Sequence, residues 1–359
     1  MTLYRLEQYK KSLSQFVSSV VNITNLKGSS VFITGATGLI GSGIVDLFLF
    51  LNETAEYDIA VYVGARSEKS VFERFGEQPN LFVVSYDSTK EFTFDVSVDY
   101  IIHAASPASP ELYMTYPVET MMSNFNGMYQ LLEYASRHSV RKILYVSSSE
   151  VYGKNNSSEP YAENNYGEMN ILDVRSSYGS SKRATETLCV SYASEYDLDV
   201  VIARPGHIYG PSAKRSDQRI SSDFSWKGAL GEDLVMRSEG EQLRSYCYHL
   251  DCATAILSVL LAGESGQAYN ISNKDSILTI REMAEMISEV AAVNLLVEIP
   301  DEQSHQDNPM ENSSLDSAKL ENLGWIGNFD AYKGFSETIK LMREINDVGK
   351  ENFDYDDYL

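Results

Sequence analysis

A doubly wound α/β fold, in which a parallel sheet carries helices on both faces and a smaller C-terminal α/β lobe follows, is predicted by three observations. Short apolar strands alternate with helical patterns as far as Arg204-Pro205. The first of those strands runs into a glycine-rich turn that opens a helix. Beyond Pro205 the alternation breaks down into loops and short elements, as expected where one lobe ends and another begins.

The elements follow in order. Leu3, Leu6, Phe16, Val17 and Val20 are spaced for an amphipathic helix packed on the body, so residues 1–27 read as an N-terminal helical extension. Val31-Phe32-Ile33-Thr34 is the first strand, and Ile44 to Leu51 is helical. Further apolar strands are expected at residues 59–63, 81–84, 100–103, 142–146 and 200–203. Helical patterns cover Val118–His138 and Ser181–Tyr196. In the second part Thr279 begins a helix reaching Val293. A strand-like segment, Gln242–His249, leads into a helix over Leu250–Ala262, and both are expected to rejoin the large domain. The division is then 28–204 plus about 243–262 for the large domain, 205–242 plus 263–345 for the smaller lobe, and 346–359 for an acidic tail.

Composition bounds the function. A chain of 359 residues with 43% hydrophobic content has ample core for two lobes. A net charge of −22 argues against a nucleic-acid partner, which needs a basic surface. An acidic protein that binds an anion must concentrate positive potential locally, which makes its arginines informative. The three cysteines Cys189, Cys247 and Cys252 have no metal-ligand spacing, so a reduced cytoplasmic setting and no metal are expected. The opening MTLYRLEQYKKSLSQFVSSVV has no apolar run that reads as a signal peptide or membrane span, and no membrane partner is expected.

The glycine-rich turn is Thr34-Gly35-Ala36-Thr37-Gly38-Leu39-Ile40-Gly41. Gly35 suits the tight turn, Gly38 a close approach to a pyrophosphate, and Gly41 close packing of helix and strand. The free N–H groups and positive dipole end of the following helix complete an anion cradle. Strand, turn and helix together indicate a Rossmann-type dinucleotide-binding domain. At the end of the second strand, Val63-Gly64-Ala65-Arg66-Ser67 offers no carboxylate for the adenosine ribose. Arg66 suits a 2′-phosphate instead, so NAD and NADP both stay open, with Arg66 leaning towards NADP.

The fifth strand ends in Ser147-Ser148-Ser149-Glu150, and Tyr178 lies four residues before Lys182. On a helix that spacing puts phenol and ammonium on one face. A phenol with a pKa near 10 is a poor base at neutral pH. A neighbouring ammonium and a positive nicotinamide ring favour its phenolate, which can take the proton of a sugar hydroxyl while Ser148 holds the same oxygen.

These residues resemble the extended short-chain dehydrogenase/reductase family, also described as NAD-dependent epimerases and dehydratases, from about residue 30 to about residue 290. The resemblance implies that Ser148, Tyr178 and Lys182 are catalytic and that the substrate is a nucleoside-diphosphate sugar. It implies cofactor contacts from Gly35, Thr37, Gly38, Leu39, Ile40, Gly41, Ala104, Ala105, Ser106 and Asn124, Asn124 matching the family's Asn-x-x-Gly helix. It also implies a homodimer formed through helices that include the one bearing Tyr178.

Three segments look most like UDP-glucuronate decarboxylases. Ser106-Pro107-Ala108-Ser109-Pro110 leads to Tyr113, which the resemblance places near the sugar. Ser148-Ser149-Glu150 is similar to that group's Thr-Ser-Glu, whereas 4,6-dehydratases carry Thr-Asp-Glu. Ser149 cannot act as the dehydratase acid, while Glu150 is a candidate acid/base. Gln242–Asp251 resembles the family's arginine-bearing segment, with Arg244 near the sugar and its phosphates, where a guanidinium fork suits a carboxylate or pyrophosphate. Arg175, Arg204 and Arg215 are further anion candidates. His207 stands where the group usually has an asparagine that contacts substrate, and either replaces it or packs. The first expectation is therefore a decarboxylase-like enzyme that oxidises the sugar at C4. The alternatives are an epimerase, a 4,6-dehydratase, an NADPH-dependent keto-sugar reductase, and a non-catalytic dinucleotide-binding regulator.

Overall fold

The computed structural model describes residues 3–90, 92–155, 157–299 and 311–352. A seven-stranded parallel sheet forms the body. Its first six strands are β1 (Ser30–Thr34), β2 (Ala60–Ala65), β3 (Leu81–Ser85), β4 (Tyr100–His103), β5 (Lys142–Val146) and β6 (Val200–Pro205). Four shorter elements then follow in the chain: β7 (His207–Tyr209), β8 (Leu234–Met236), β9 (Leu243–Tyr248) and β10 (Ala268–Ile271). The sheet order is β10-β6-β5-β4-β1-β2-β3.

The alternation of side chains explains why these strands read as continuous apolar runs. Val31, Ile33, Ile102, Leu144, Val146, Val201 and Ala203 join the core on one face. Phe32, Ile101, Ile143, Tyr145, Val200 and Ile202 join the core on the other. A parallel sheet buried on both sides needs apolar residues at both phases of its pleat. One face is covered by α1 (Glu7–Val17), α2 (Leu39–Ala55) and a later helix, His249–Ala262. After α3 (Glu68–Phe75) and the short α4 (Pro110–Thr115), α5 (Pro117–Arg137) and α6 (Ser177–Tyr196) pack together on the other.

The N-terminal helix is part of the core. Tyr9, Leu13 and Phe16 are fully buried. The Tyr9 hydroxyl donates to Asp46 in α2 at 2.8 Å, and Arg74 of α3 bridges the same carboxylate at 2.5 Å. α1 thus braces the helix that the glycine turn opens.

The helix over the main sheet, His249–Ala262, is α8, and the second lobe is built on α7 (Ile220–Leu230), α9 (Ile280–Ala291) and α11 (Ala331–Asn352), with the short α10 (Ala318–Glu321) beside β10. β9 sits in a small sheet between β11 (Ile277–Thr279) and β13 (Asn312–Ser313), with β7 also paired to β9. β12 (Leu295–Val297) pairs with β8. Thr279 closes a capping box with Glu282 at the start of α9, as its sequence suggests.

Two expectations are corrected. Gln242–His249 forms a strand, but in the small sheet; the seventh strand of the main sheet is β10, whose run Ala-Tyr-Asn-Ile is interrupted by a buried asparagine. Asn270 is tolerated there because its amide donates to Tyr161 O and Asp316 O. The segment read as a tail from residue 346 continues α11 as far as Asn352; residues 353–359 lie outside the described residues. Among the described residues no helix is long and apolar enough to cross a membrane.

Candidate active site

The chain leaves the sheet in opposite directions from β1, through β2 and β3 on one side and β4, β5 and β6 on the other. A doubly wound sheet opens a crevice at that reversal, beyond the carboxyl ends of β1 and β4. The glycine turn and residues 104–106 lie there. Gly35 has φ +69°, and a Cβ on it would stand 2.6 Å from the Ala104 carbonyl carbon. A Cβ on Gly41 would run into the Gly35 carbonyl oxygen, so Gly41 serves the turn itself rather than the strand. Ala104 N donates to Thr34 O and Ala105 N to Thr34 Oγ1, which draws the β4 end against the turn.

The N-terminus of α2 has no side-chain cap and no acidic residue in its first turn. Its cap residue Gly38 is exposed, with Thr37, Leu39 and Ile40 partly exposed around it. The first N–H groups of a helix lack intrahelical acceptors, so Leu39, Ile40 and Gly41 present donors and a positive dipole end. This donor set fits a dinucleotide pyrophosphate. Arg66 is exposed just beyond β2, while Ser67 is occupied as the cap of α3, accepting from Ser70 N.

Tyr178 and Lys182 share one buried face of α6. Lys182 Nζ donates to Val146 O at 2.9 Å and lies over the rings of Tyr145 and Tyr178, 4.8 and 5.6 Å from their centroids. Burial pulls its ammonium down to about 7. Burial pushes the Tyr178 phenol up to about 12, against the hydroxyls of Ser148 and Ser106 beside its oxygen. Burial thus weighs on both groups in the direction of the uncharged form. Tyr113 stacks on Tyr178 with centroids 5.3 Å apart. Asn124, fully buried, accepts from Ser106 Oγ at 2.7 Å and donates to Ser181 Oγ at 3.0 Å.

Several of the substrate candidates are electrostatically coupled to one another. Burial raises the Glu150 carboxyl, and the guanidinium groups of Arg175 and Arg244 pull it back. Arg244, nearly fully buried on β9, donates to Leu243 O at 2.8 Å. His207 on β7 is kept neutral, pulled down to about 3 by burial and then by Arg244 and Arg219. Its Nδ1 is buried with no hydrogen-bond partner among the described residues, and its ring is 6.0 Å from that of Tyr246. Ser149 is buried and Pro107 half-buried beside them in sequence. Arg215 is exposed; Arg219, which the sequence reading passed over, is the loop arginine that reaches His207. Its pairing with Asp217, two residues earlier, was the available signal.

Arg204 is not an anion site. It is 2% exposed and fully engaged: Nε and Nη2 grip Glu186 at 2.9 and 2.6 Å, Nη2 also reaches the Tyr166 hydroxyl, and Nη1 reaches the Tyr152 hydroxyl and Glu163 O. Burial alone would lower the guanidinium, but the bonds to Glu186 raise it above its usual range. Glu186, one helical turn beyond Lys182, was legible only as half of this pair.

The NAD dependent epimerase/dehydratase family is matched over residues 31–272. UDP-glucuronic acid decarboxylase 6 of Arabidopsis thaliana is 34% identical over 295 residues, 82% of this chain and 83% of that protein. UDP-glucuronic acid decarboxylase 1 of Xenopus tropicalis is 27% identical over 95% of this chain and 78% of its own length. A dTDP-glucose 4,6-dehydratase from Streptomyces venezuelae, solved with NAD bound, shares the fold at TM-score 0.74 and 24% identity, over 89% of this chain and 98% of that one. UDP-glucose 4-epimerase from Thermotoga maritima does so at TM-score 0.75 and 22% identity, over 88% and 99%.

Replacing one partner of a buried ion pair strands the other charge, at about 3–5 kcal/mol. Glu186→Gln is expected to destabilise the chain by about that much in chemical denaturation, and Glu186→Met with Arg204→Met together to recover most of the loss. A cost under about 1 kcal/mol for the single change would show the pair to be a surface-like contact.

Proposed function

The chain belongs to the NAD dependent epimerase/dehydratase family, and from that premise we propose that it oxidises a nucleoside-diphosphate sugar at C4 and decarboxylates it, as a UDP-glucuronate decarboxylase does. The observation that carries this reading is the sunken Glu150 carboxyl facing Arg175 and Arg244, close to Tyr178. The guanidinium forks of Arg175 and Arg244 are of the kind that suits a sugar carboxylate or a pyrophosphate. Ser149 stands where a dehydratase would need an acid, which weighs against loss of the C6 hydroxyl.

A bound nicotinamide dinucleotide supplies the acceptor for the electron pair that leaves C4 and the donor that restores it. Gly35, Gly38 and Gly41 with Thr37, Leu39 and Ile40 would hold its phosphates, and Ala104, Ala105, Ser106, Asn124 and Lys182 are the further residues that would contact it. Tyr178, once deprotonated, removes the C4 hydroxyl proton while Ser148 holds the same oxygen. The resulting 4-keto sugar makes a carboxylate on C5 a β-keto acid, which loses carbon dioxide readily. Glu150, with its raised affinity for a proton, is placed to protonate C5. Pro107, Tyr113, Ser149, Arg175, His207 and Arg244 shape the pocket, and Arg215 takes no part unless its loop moves inward.

Arg66 supports NADP over NAD, since no carboxylate stands at the end of β2 and the guanidinium is exposed beside the crevice. A homodimer is supported by the exposed apolar residues Met121, Met122, Phe125 and Tyr129 on α5 and Val190 on α6, the two helices that pack side by side.

Mass detection after incubation with UDP-, GDP-, CDP- and dTDP-sugars is expected to find loss of carbon dioxide from a uronic acid derivative and no net consumption of dinucleotide. Loss of water, an isomer of unchanged mass, or stoichiometric use of NADPH would replace the decarboxylase with a dehydratase, an epimerase or a reductase. Arg66→Ala is expected to weaken NADP binding about tenfold or more, the worth of a charge-assisted hydrogen bond, and to leave NAD nearly unchanged. Equal losses for both would remove Arg66 from the 2′-phosphate. Sedimentation at micromolar concentration is expected to give a dimer that Met121→Glu with Phe125→Glu reduces to a monomer; a monomeric parent would exclude it.

A further inference from the structure

Three backbone carbonyls beside the crevice share one donor. Arg183 follows Lys182 on α6 and is partly exposed. Its Nε donates to Val151 O at 2.6 Å, and its Nη2 to Tyr152 O at 3.1 Å and to Gly167 O at 3.0 Å. Val151 and Tyr152 end the turn Ser149–Tyr152, which carries Glu150. Gly167 opens the stretch that runs to Arg175. The two segments also bond to each other. Gly167 N donates to Tyr152 O at 2.7 Å, Lys154 N to Glu168 O at 2.7 Å and Glu168 N to Lys154 O at 2.9 Å. The guanidinium thus sits where turn and loop meet α6.

Bare backbone makes room for this contact. Gly153 has φ +67°, and a Cβ on it would stand 3.1 Å from Arg183 Nη2 and 2.4 Å from Glu168 O. One turn before Arg183 on α6, a Cβ on Gly179 would stand 3.0 Å from Glu150 O. Glu150 is held on both sides along the chain: its N–H donates to Ser148 Oγ at 3.2 Å, and the next carbonyl is the one that Arg183 takes. All three acceptors of Arg183 are neutral carbonyls, so the arrangement uses the planar fork of the guanidinium and not a pairing of charges.

We propose that Arg183 is a positioning residue that fixes the Glu150 turn and the loop ending in Arg175 against the helix of Tyr178, and so sets where Glu150 stands over the sugar. The meaning of that placement rests on the cycle proposed above, in which the proton of the Glu150 carboxyl goes to C5 after carbon dioxide has left. Oxidation at C4 uses Tyr178 and Ser148, and Ser148 stands two residues beyond β5, ahead of the clamped carbonyls. Protonation at C5 needs Glu150 as well. A loosened clamp therefore delays the second half of the cycle more than the first.

The test compares the full chain, loaded with dinucleotide, with Arg183→Lys, which keeps the charge and loses the fork. In a single turnover of UDP-glucuronate, absorbance follows the reduced dinucleotide and mass detection follows the product. Reduction is expected at close to the parent rate, and reoxidation about tenfold slower or more, the worth of a hydrogen bond to a charged group. Glu150→Gln is expected to slow the same phase, and the double variant no further than Glu150→Gln alone. Arg183→Gln, shorter but planar, replaces the lysine variant if circular dichroism shows that one unfolded. Equal slowing of both phases, no slowing, or additive effects in the double variant overturn the proposal. A parent that reduces no dinucleotide defeats the decarboxylase reading instead, and placement is then read without sugar. The carbon-13 resonance of the Glu150 carboxyl, assigned by its loss in Glu150→Gln, is followed against pH. Burial raises this carboxyl, and its charged or titratable neighbours Arg175, Arg244, Tyr113 and Tyr178 are the same in parent and variant. Arg183→Lys is expected to lower the midpoint by about half a unit or more as the carboxyl regains water. An unchanged midpoint overturns the placement.

Discussion

The catalytic geometry hangs on the buried pair of Arg204 and Glu186. Arg204 ends β6 and Glu186 sits one turn beyond Lys182 on α6, so the pair ties the sheet to the helix that carries both proposed proton-handling groups. The same guanidinium holds the Tyr152 hydroxyl and Glu163 O, and the Tyr152 hydroxyl in turn donates to Asn270 on β10. Ser148 and Glu150 stand on the short turn that ends at Tyr152. One charge therefore fixes the strand end, the helix and the last strand of the sheet against one another. A buried ion pair contributes little net stability. Its bonds tie α6, which carries Tyr178 and Lys182, to β6 and to the turn after β5.

With that frame rigid, chemistry depends on where protons sit. The crevice is dry enough to pull Lys182 down to about 7 and to push Tyr178 up to about 12, so burial acts on both in the direction of the uncharged form. A site arranged this way is at rest when empty. Charge enters with ligands: a positive ring beside Tyr178 favours the phenolate, and anionic groups beside Arg175 and Arg244 favour the guanidinium groups already there. This explains how an acidic chain can hold a doubly anionic ligand. Arg175 and Arg244 stand close to Glu150, while carboxylates such as Asp46 and Glu186 are buried against Arg74 and Arg204.

The parts legible in the sequence were those governed by local pattern. Apolar alternation marks the strands from β1 to β6 because a sheet covered on both faces admits little else. The glycine turn declares itself because backbone contacts at Gly35 and Gly41 leave no room for a side chain. Tyr178 and Lys182 are visible as a helical spacing. What escaped depends on partners distant in sequence. β10 carries Asn270, whose side chain is satisfied from residues 161 and 316, so no local apolar run announces the strand. Arg204 looks like a free cation at a strand end until Glu186 is brought beside it. The bond of Lys182 to Val146 O joins α6 to the end of β5, a partner that no helical spacing announces.

The two lobes contribute unequal kinds of information to the pocket. Ser148, Glu150, Arg175, Tyr178 and Lys182 come from the large domain, on elements locked by the Arg204 network. Arg244 and His207 come from β9 and β7, whose pairing sets His207 opposite Tyr246, two residues from Arg244. In that small sheet His207 stands where, by the resemblance in sequence, the decarboxylases usually have an asparagine. A Cβ at residue 206 would stand 2.9 Å from the Ser245 carbonyl oxygen, so the glycine lets β7 lie close against β9. The neutral imidazole beside it, its Nδ1 unmatched among the described residues, offers a hydrogen-bonding group in a cleft already occupied by two guanidinium groups. An asparagine amide there would bring a donor and an acceptor together; a neutral imidazole divides them between its two nitrogens, one of them sealed from solvent. The proposed oxidation at C4 depends on the large domain alone, so this exchange leaves it untouched. It acts instead on which sugar and nucleotide the closed crevice accepts, and so on the fate of the keto intermediate held there.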